Sequence, residues 1–150
     1  MTRYYGIDEA NLAIPDVERI LLDLRDQRAE LIRLRDAVLA VSGQGTGAAT
    51  EGAADRGAAA LAGDPLDAAA DLRRMRLRMQ GLIDQMQAGV TRLVERDVTL
   101  REIESGLIDF PALANGRPIW LCWRLGEGDV EWWHEHDDGF AGRRRLSDLT

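Results

Sequence analysis

Residues 17–41 read VERILLDLRDQRAELIRLRDAVLAV. Val17, Leu24, Leu31 and Val38 fall seven residues apart, and Ile20, Gln27, Leu34 and Val41 repeat that spacing three positions later. Apolar side chains at this double spacing make one stripe along a helix, the seam by which it pairs with another helix. Working outward, Pro15 suits the first turn of such a helix, where its missing N–H is not needed. Ser42-Gly43 is a stop signal. The pattern therefore predicts helix one over 15–42. Residues 1–14 precede it as an N-terminal strand or turn, with 7–14 a short helical turn and Tyr4-Tyr5 a candidate extra strand.

A second stretch answers the first. Asp64-Pro65-Leu66-Asp67 is a helix start, with an acid at the N-cap, proline at N1 and an acid in the first turn. From there Leu72, Met79, Met86, Leu93 and Leu100 hold one seam, and Met75, Leu82, Gly89, Arg96 and Ile103 the other. These positions predict helix two over 64–105. Gly89 permits close approach of the helices, and Gln27 interrupts the seam in a way that can fix register. The Gly- and Ala-rich segment 43–63 between the helices has no apolar period and reads as a flexible loop. The expected fold is mainly α: one domain, 1–150, built on a long antiparallel, coiled-coil-like two-helix hairpin. Antiparallel counting leaves 92–105 projecting past helix one, to be covered by the chain's two ends.

The aromatic residues say where those ends meet. Tyr4 and Tyr5 stand at one end; Phe110, Trp120, Trp123, Trp132, Trp133 and Phe140 stand at the other, with none between residues 6 and 109. In the C-terminal part the period changes to two. Ile119, Leu121, Trp123 and Leu125 alternate with Trp120, Cys122 and Arg124. After Gly126-Glu127-Gly128-Asp129, Val130, Trp132 and His134 alternate with Glu131, Trp133 and Glu135. This predicts a small β-hairpin head within 106–150. Asp109-Phe110-Pro111 reads as the connection into it.

Composition excludes several functions. The 150 residues carry 19 basic side chains, all arginine, against 26 acids, for a net charge of -7. That balance opposes general nucleic-acid binding, and Arg73, Arg74, Arg76 and Arg78 scatter around a helix rather than forming a patch. One cysteine, Cys122, permits no intrachain disulfide. Asp8 and Glu9 near the N-terminus do not suit a signal peptide, and no apolar run reaches the ~20 residues of a membrane helix. The expected setting is cytoplasmic. The absence of lysine reads as drift in a GC-rich bacterial genome.

A specific set of motifs then appears in order: Glu9-Ala10-Asn11 with Ile14-Pro15, Gly106-Leu107-Ile108-Asp109-Phe110-Pro111, Gly116-Arg117, Leu121-Cys122-Trp123, Gly126-Glu127, Trp133-His134-Glu135, and Gly139-Phe140-Ala141-Gly142-Arg143. In these the chain resembles the bacterial family known as domain of unknown function 2203, over nearly its whole length except the Gly/Ala loop. The resemblance implies no established activity. Gly6 departs from it, standing where the family usually has Thr or Ser, and so does His136, standing where an aliphatic residue is more usual.

Two functions are open at this level. The first is a non-enzymatic interaction or scaffold module, homodimeric through its helical hairpin, because so thin a hairpin buries too little apolar surface alone. Additional apolar positions such as Leu21, Ile32, Ile83 and Val94 widen its stripe for a second copy. No cofactor, nucleic acid or membrane is expected. The second is a ligand or metal site in the head, drawing on Asp109, Trp123, Glu127, Trp133, His134, Glu135 and Arg143. His134 and His136 lie on one face of a strand and could share a divalent metal, with Asp109, Glu127, Asp137 or Asp138 supplying oxygen. A solvated, acidic strand end is the plainer reading of those histidines. Cys122 reads as a small buried hydrophobe, and the tryptophans as core or interface.

Overall fold

The computed structural model describes residues 2–47 and 65–149. Two long helices, α1 (Ile7–Gly47) and α2 (Pro65–Glu95), are followed by five strands: β1 (Thr99–Glu102), β2 (Leu107–Ala114), β3 (Arg117–Arg124), β4 (Trp132–His134) and β5 (Arg144–Arg145). All strands pair antiparallel, in the order β1-β2-β3-β4-β5. The fold is mixed helix and sheet. It is not mainly α, and a five-stranded meander stands where a two-stranded hairpin was expected. The loop expected at 43–63 lies outside the described residues from 48 on, and residues 43–47 continue α1.

Helix α1 starts at Ile7, not at Pro15, so 7–14 belongs to it and the N-terminal strand or turn is only residues 2–6. The Gly6 carbonyl accepts from Ala10 N–H, and Glu9 Oε1 accepts from Gly6 N–H at 3.3 Å, half of a capping box without the hydroxyl. Ala10, Ile14, Val17, Leu21 and Leu24 continue one buried face straight through Pro15. That burial offsets the ~3 kcal/mol a helical proline costs. Tyr5 joins no strand. Its N–H donates to the Pro111 carbonyl at 2.7 Å, and its ring meets Phe110 edge-on at 5.0 Å.

Helix α2 ends ten residues before the expected Ser105. Asp97 takes a left-handed conformation (φ 57°), Val98 N–H donates to Leu93 O, and Asp97 N–H donates to Val94 O. This is a Schellman stop, with buried Val98 against buried Leu93 as its apolar contact. The residues that seemed to extend the seam, Leu100 and Ile103, lie in and just after β1. No helical overshoot exists at 92–105.

The described chain divides into two compact units, Met1–Asp26 with Met86–Thr150, and Gln27–Gln85. In the first, helix-facing side chains of alternate sheet positions (Ile108, Phe110 and Ala112 on β2, Ile119, Leu121 and Trp123 on β3, Trp133 on β4) join Val17, Leu21, Leu24 and Leu93 in one core. Gly89 sits where a Cβ would come within 2.9 Å of a Leu24 methyl, so the helices run close and antiparallel there. In the second unit the antiparallel sense is the same, marked by Arg78 forked onto Glu30 at 2.9 and 3.0 Å. That fork, with the charge of Arg78, holds the Glu30 carboxyl below its ordinary range. Leu82 is buried in this unit, while Leu31, Leu34, Val38, Leu72, Met75 and Met79 are half-buried. Among the described residues no helix is long and apolar enough to cross a membrane.

Candidate functional site

Period two gives each strand a second set of side chains, on the face turned away from the helices. Register places Asp109 opposite Cys122 and Cys122 opposite Trp132, one row across β2, β3 and β4. The next row sets Pro111 against Trp120 and Trp120 against His134. Asp109, Cys122 and His134 are all buried on this face, at 2%, 1% and 3% exposure. One ligand atom from each lies within 4.8 Å of the others.

The hydrogen bonds around them are specific. His134 Nδ1 meets the Glu135 carbonyl oxygen at 2.8 Å, and Nε2 meets Asp109 Oδ2 at 3.0 Å. A carbonyl oxygen only accepts, so Nδ1 carries a proton, and the Nε2–Oδ2 contact is a hydrogen bond with a proton between the two atoms. Arg101 Nε–H donates to the same Asp109 Oδ2 at 2.8 Å. Arg101 is the unpaired residue of a bulge between Leu100 and Glu102, which re-aims it across Trp120, 5.0 Å from the ring centre. Asp109 Oδ1 is buried and has no hydrogen-bond partner. Burial, reinforced by the Asp109 charge, pushes the Cys122 thiol up to about 12, so it is protonated at neutral pH.

Cys122 also touches a second, half-buried pair. Arg143 Nη2–H donates to Glu127 Oε1 at 2.8 Å, and Nη1 lies 4.0 Å from Cys122 Sγ. The guanidinium packs between the rings of Trp132 (4.3 Å) and Phe140 (4.6 Å). Glu127 comes from the β3–β4 connection, which is anchored by Trp123 Nε1–H on the Gly128 carbonyl and by Val130 N–H on Asn11 Oδ1. Beside the Asp-Cys-His cluster opens a pocket of about 330 Å³, lined by Arg101, Leu107, Asp109, Cys122, His134, His136, Asp137, Asp138, Gly139 and Phe140.

The residues expected at the site divide by face. Asp109, Glu127, His134 and Arg143 come together on the outer face, in two groups that meet at Cys122. Trp123 and Trp133 do not: both are buried in the helix-facing core. Glu135 turns its carboxylate to Arg117, whose hydrogen bond and charge hold it below the usual carboxylate range. Arg143 thus pairs with Glu127, and Glu135 is taken by Arg117. His136 lines the pocket but stands outside the three-residue set, its ring stacked on Trp120 at 4.7 Å. Asp109-Phe110-Pro111 is no connection; it is the middle of β2. Pro111 falls past the end of β1's pairing, where a missing ladder N–H is tolerated. Cys122, expected as a small buried hydrophobe, is buried and also belongs to the cluster, and Arg101 is the member the sequence did not single out. The signal for Cys122 was its place one step out of phase with Leu121 and Trp123, which puts it on the opposite face of the strand from them.

Two long helices, then an antiparallel meander with a polar cluster buried on its outer face, define the class of protein. The chain matches the family model described as "Uncharacterized conserved protein (DUF2203)" over residues 3–146, and it belongs to that family. No curated protein and no solved structure matches it.

Proposed function

We propose that this protein binds a small ligand in the outer-face pocket of its sheet. The observation that supports the reading is the burial of Asp109, Cys122 and His134 beside an open space of about 330 Å³. An ionisable carboxyl with one partnerless buried oxygen lowers stability. A row of apolar side chains would hold these strands at least as well. Polar groups kept at such a cost, converging on a concavity, are the mark of a binding site. The test is a thermal-shift screen of the whole chain against small anions, metabolites and metal salts, with His134→Ala in parallel. A shift that the variant loses supports the site. A full screen with no shift contradicts it.

A second reading concerns the helices. The coiled-coil-like hairpin would join a second copy, making a non-enzymatic homodimeric scaffold of the bacterial cytosol. The half-exposed seam of Leu31, Leu34, Val38, Leu72, Met75 and Met79 favours it, since a closed seam would bury them. Light scattering at micromolar concentration decides: a mass twice 16.7 kDa supports the homodimer, and 16.7 kDa refutes it.

A further inference from the structure

We infer that the ligand of this pocket is a divalent transition metal of the zinc class, held by Asp109 Oδ1, Cys122 Sγ and His134 Nε2. The inference deepens the pocket reading above and rests on it. Five observations carry it. The three side chains supply one oxygen, one sulfur and one nitrogen, the mixed donor set that zinc accepts and that hard cations such as magnesium do not favour. One ligand atom from each, with one or other Asp109 oxygen, lies within 4.8 Å of the others. Zinc bonds of about 2.0–2.3 Å at tetrahedral angles put ligand atoms roughly 3.3–3.7 Å apart, so closure needs shifts of about 1 Å.

The histidine is arranged as a ligand. Its Nδ1–H donates to the Glu135 carbonyl, which fixes the ring with Nε2 turned inward, toward Asp109 Oδ2 at 3.0 Å. A backbone carbonyl on the distal nitrogen is the usual support of a metal-bound histidine. In the metal-free protein a proton bridges Nε2 and Oδ2, and a metal ion takes that proton's place. The carboxylate is arranged likewise. Arg101 orients it through Oδ2, leaving Oδ1 buried and without a partner. On the far side of the sulfur, Arg143 brings Nη1 to 4.0 Å from Cys122 Sγ, a donor suited to a metal-bound thiolate.

Binding forms bonds from the metal to sulfur, nitrogen and oxygen, breaks the Cys122 S–H bond and displaces the proton between His134 Nε2 and Asp109, and both protons leave to solvent through the open side of the pocket. Three protein ligands leave a fourth position free for water or a further ligand, the arrangement of zinc sites that do more than hold a fold together. His136 is not among the ligands, so the metal does not depend on a His-x-His pair.

The probe is Co2+ alone, titrated into the full chain after chelator treatment and followed by absorption and calorimetry. The expected result is one equivalent bound with an intense sulfur-to-cobalt charge-transfer band. Cys122→Ser removes the band, and His134→Ala weakens binding by more than about tenfold. Circular dichroism confirms that both variants fold. Absence of saturable binding overturns the inference, as does a band that survives Cys122→Ser. Unresponsiveness to metal, with a small-molecule shift that His134→Ala abolishes, overturns the metal and leaves the pocket reading standing. Unresponsiveness to both removes both.

Discussion

Arg143 offers the sharpest test of how the outer face is built. Its side chain is 10% exposed and that of its partner Glu127 18%, with 2.8 Å between them. Arg143→Met keeps an unbranched stem between Trp132 and Phe140 but removes the charge. Glu127 is then left half-buried without its main partner, with Oε2 already lacking one. Removing one member of a fully buried pair costs about 3–5 kcal/mol, and the partial exposure of this one lowers that. Arg124, whose Nε lies 3.8 Å from the same Glu127 oxygen, recovers part of that. The expected loss is therefore about 2–4 kcal/mol. For a chain of this size each kcal/mol lowers Tm by roughly 2–4 °C, so Tm should fall by roughly 5–15 °C. Adding Glu127→Gln removes the stranded charge, and the double variant should recover at least ~1 kcal/mol relative to the summed single losses. Urea denaturation of the four proteins measures all of this. A loss under ~1 kcal/mol in Arg143→Met, or strict additivity in the cycle, would refute the reasoning.

Three further outcomes are expected. Cys122 ionises near pH 8.5 when unfolded but only about 12 when folded. The unfolded chain therefore holds fewer protons across that window, and stability falls as pH rises above about 8.5, by up to ~1.4 kcal/mol per unit. Cys122→Ser should flatten that slope in alkaline urea titrations, and the native wild-type thiol should resist alkylation at pH 7.5 until denaturant is added. Phe110→Ala empties a fully buried site against Tyr5 and should cost about 3–5 kcal/mol in the same assay. Gly116 at φ 79° has open space around it, so Gly116→Ala should cost only the left-handed strain of about 1–2 kcal/mol.

The helical part was legible because long heptad runs leave little choice: both helices and their antiparallel sense follow from Val17–Val41 and Leu72–Leu93. Their ends were not legible. Ala10 and Ile14 extend the apolar face of α1 backward through a proline that local rules would place at a start. At the other end, Arg96, Leu100 and Ile103 keep heptad spacing by coincidence while Asp97 turns the chain. The β-branched Val98-Thr99 pair after it was the available sign of a strand. The missed β2–β3 hairpin had a plain signal in Asn115-Gly116, both at positive φ, as a two-residue hairpin turn requires. Without that turn Asp109 stayed in a connection, and its alignment with Cys122 was invisible. His134 was legible from its strand position, whereas Arg101 depends on a bulge that no periodicity announces.

The central claim is that Asp109, Cys122 and His134 are kept for binding and not for holding the fold. Equilibrium urea denaturation of the triple variant Asp109→Val, Cys122→Ala, His134→Leu tests it most directly, because total side-chain volume is nearly conserved while every donor atom goes. A polar cluster retained for function should be replaceable without loss. The account predicts an unfolding free energy within about 1 kcal/mol of wild type or up to ~4 kcal/mol higher, with the ligand response abolished. A loss of more than about 3 kcal/mol would make the cluster a structural element and contradict the account.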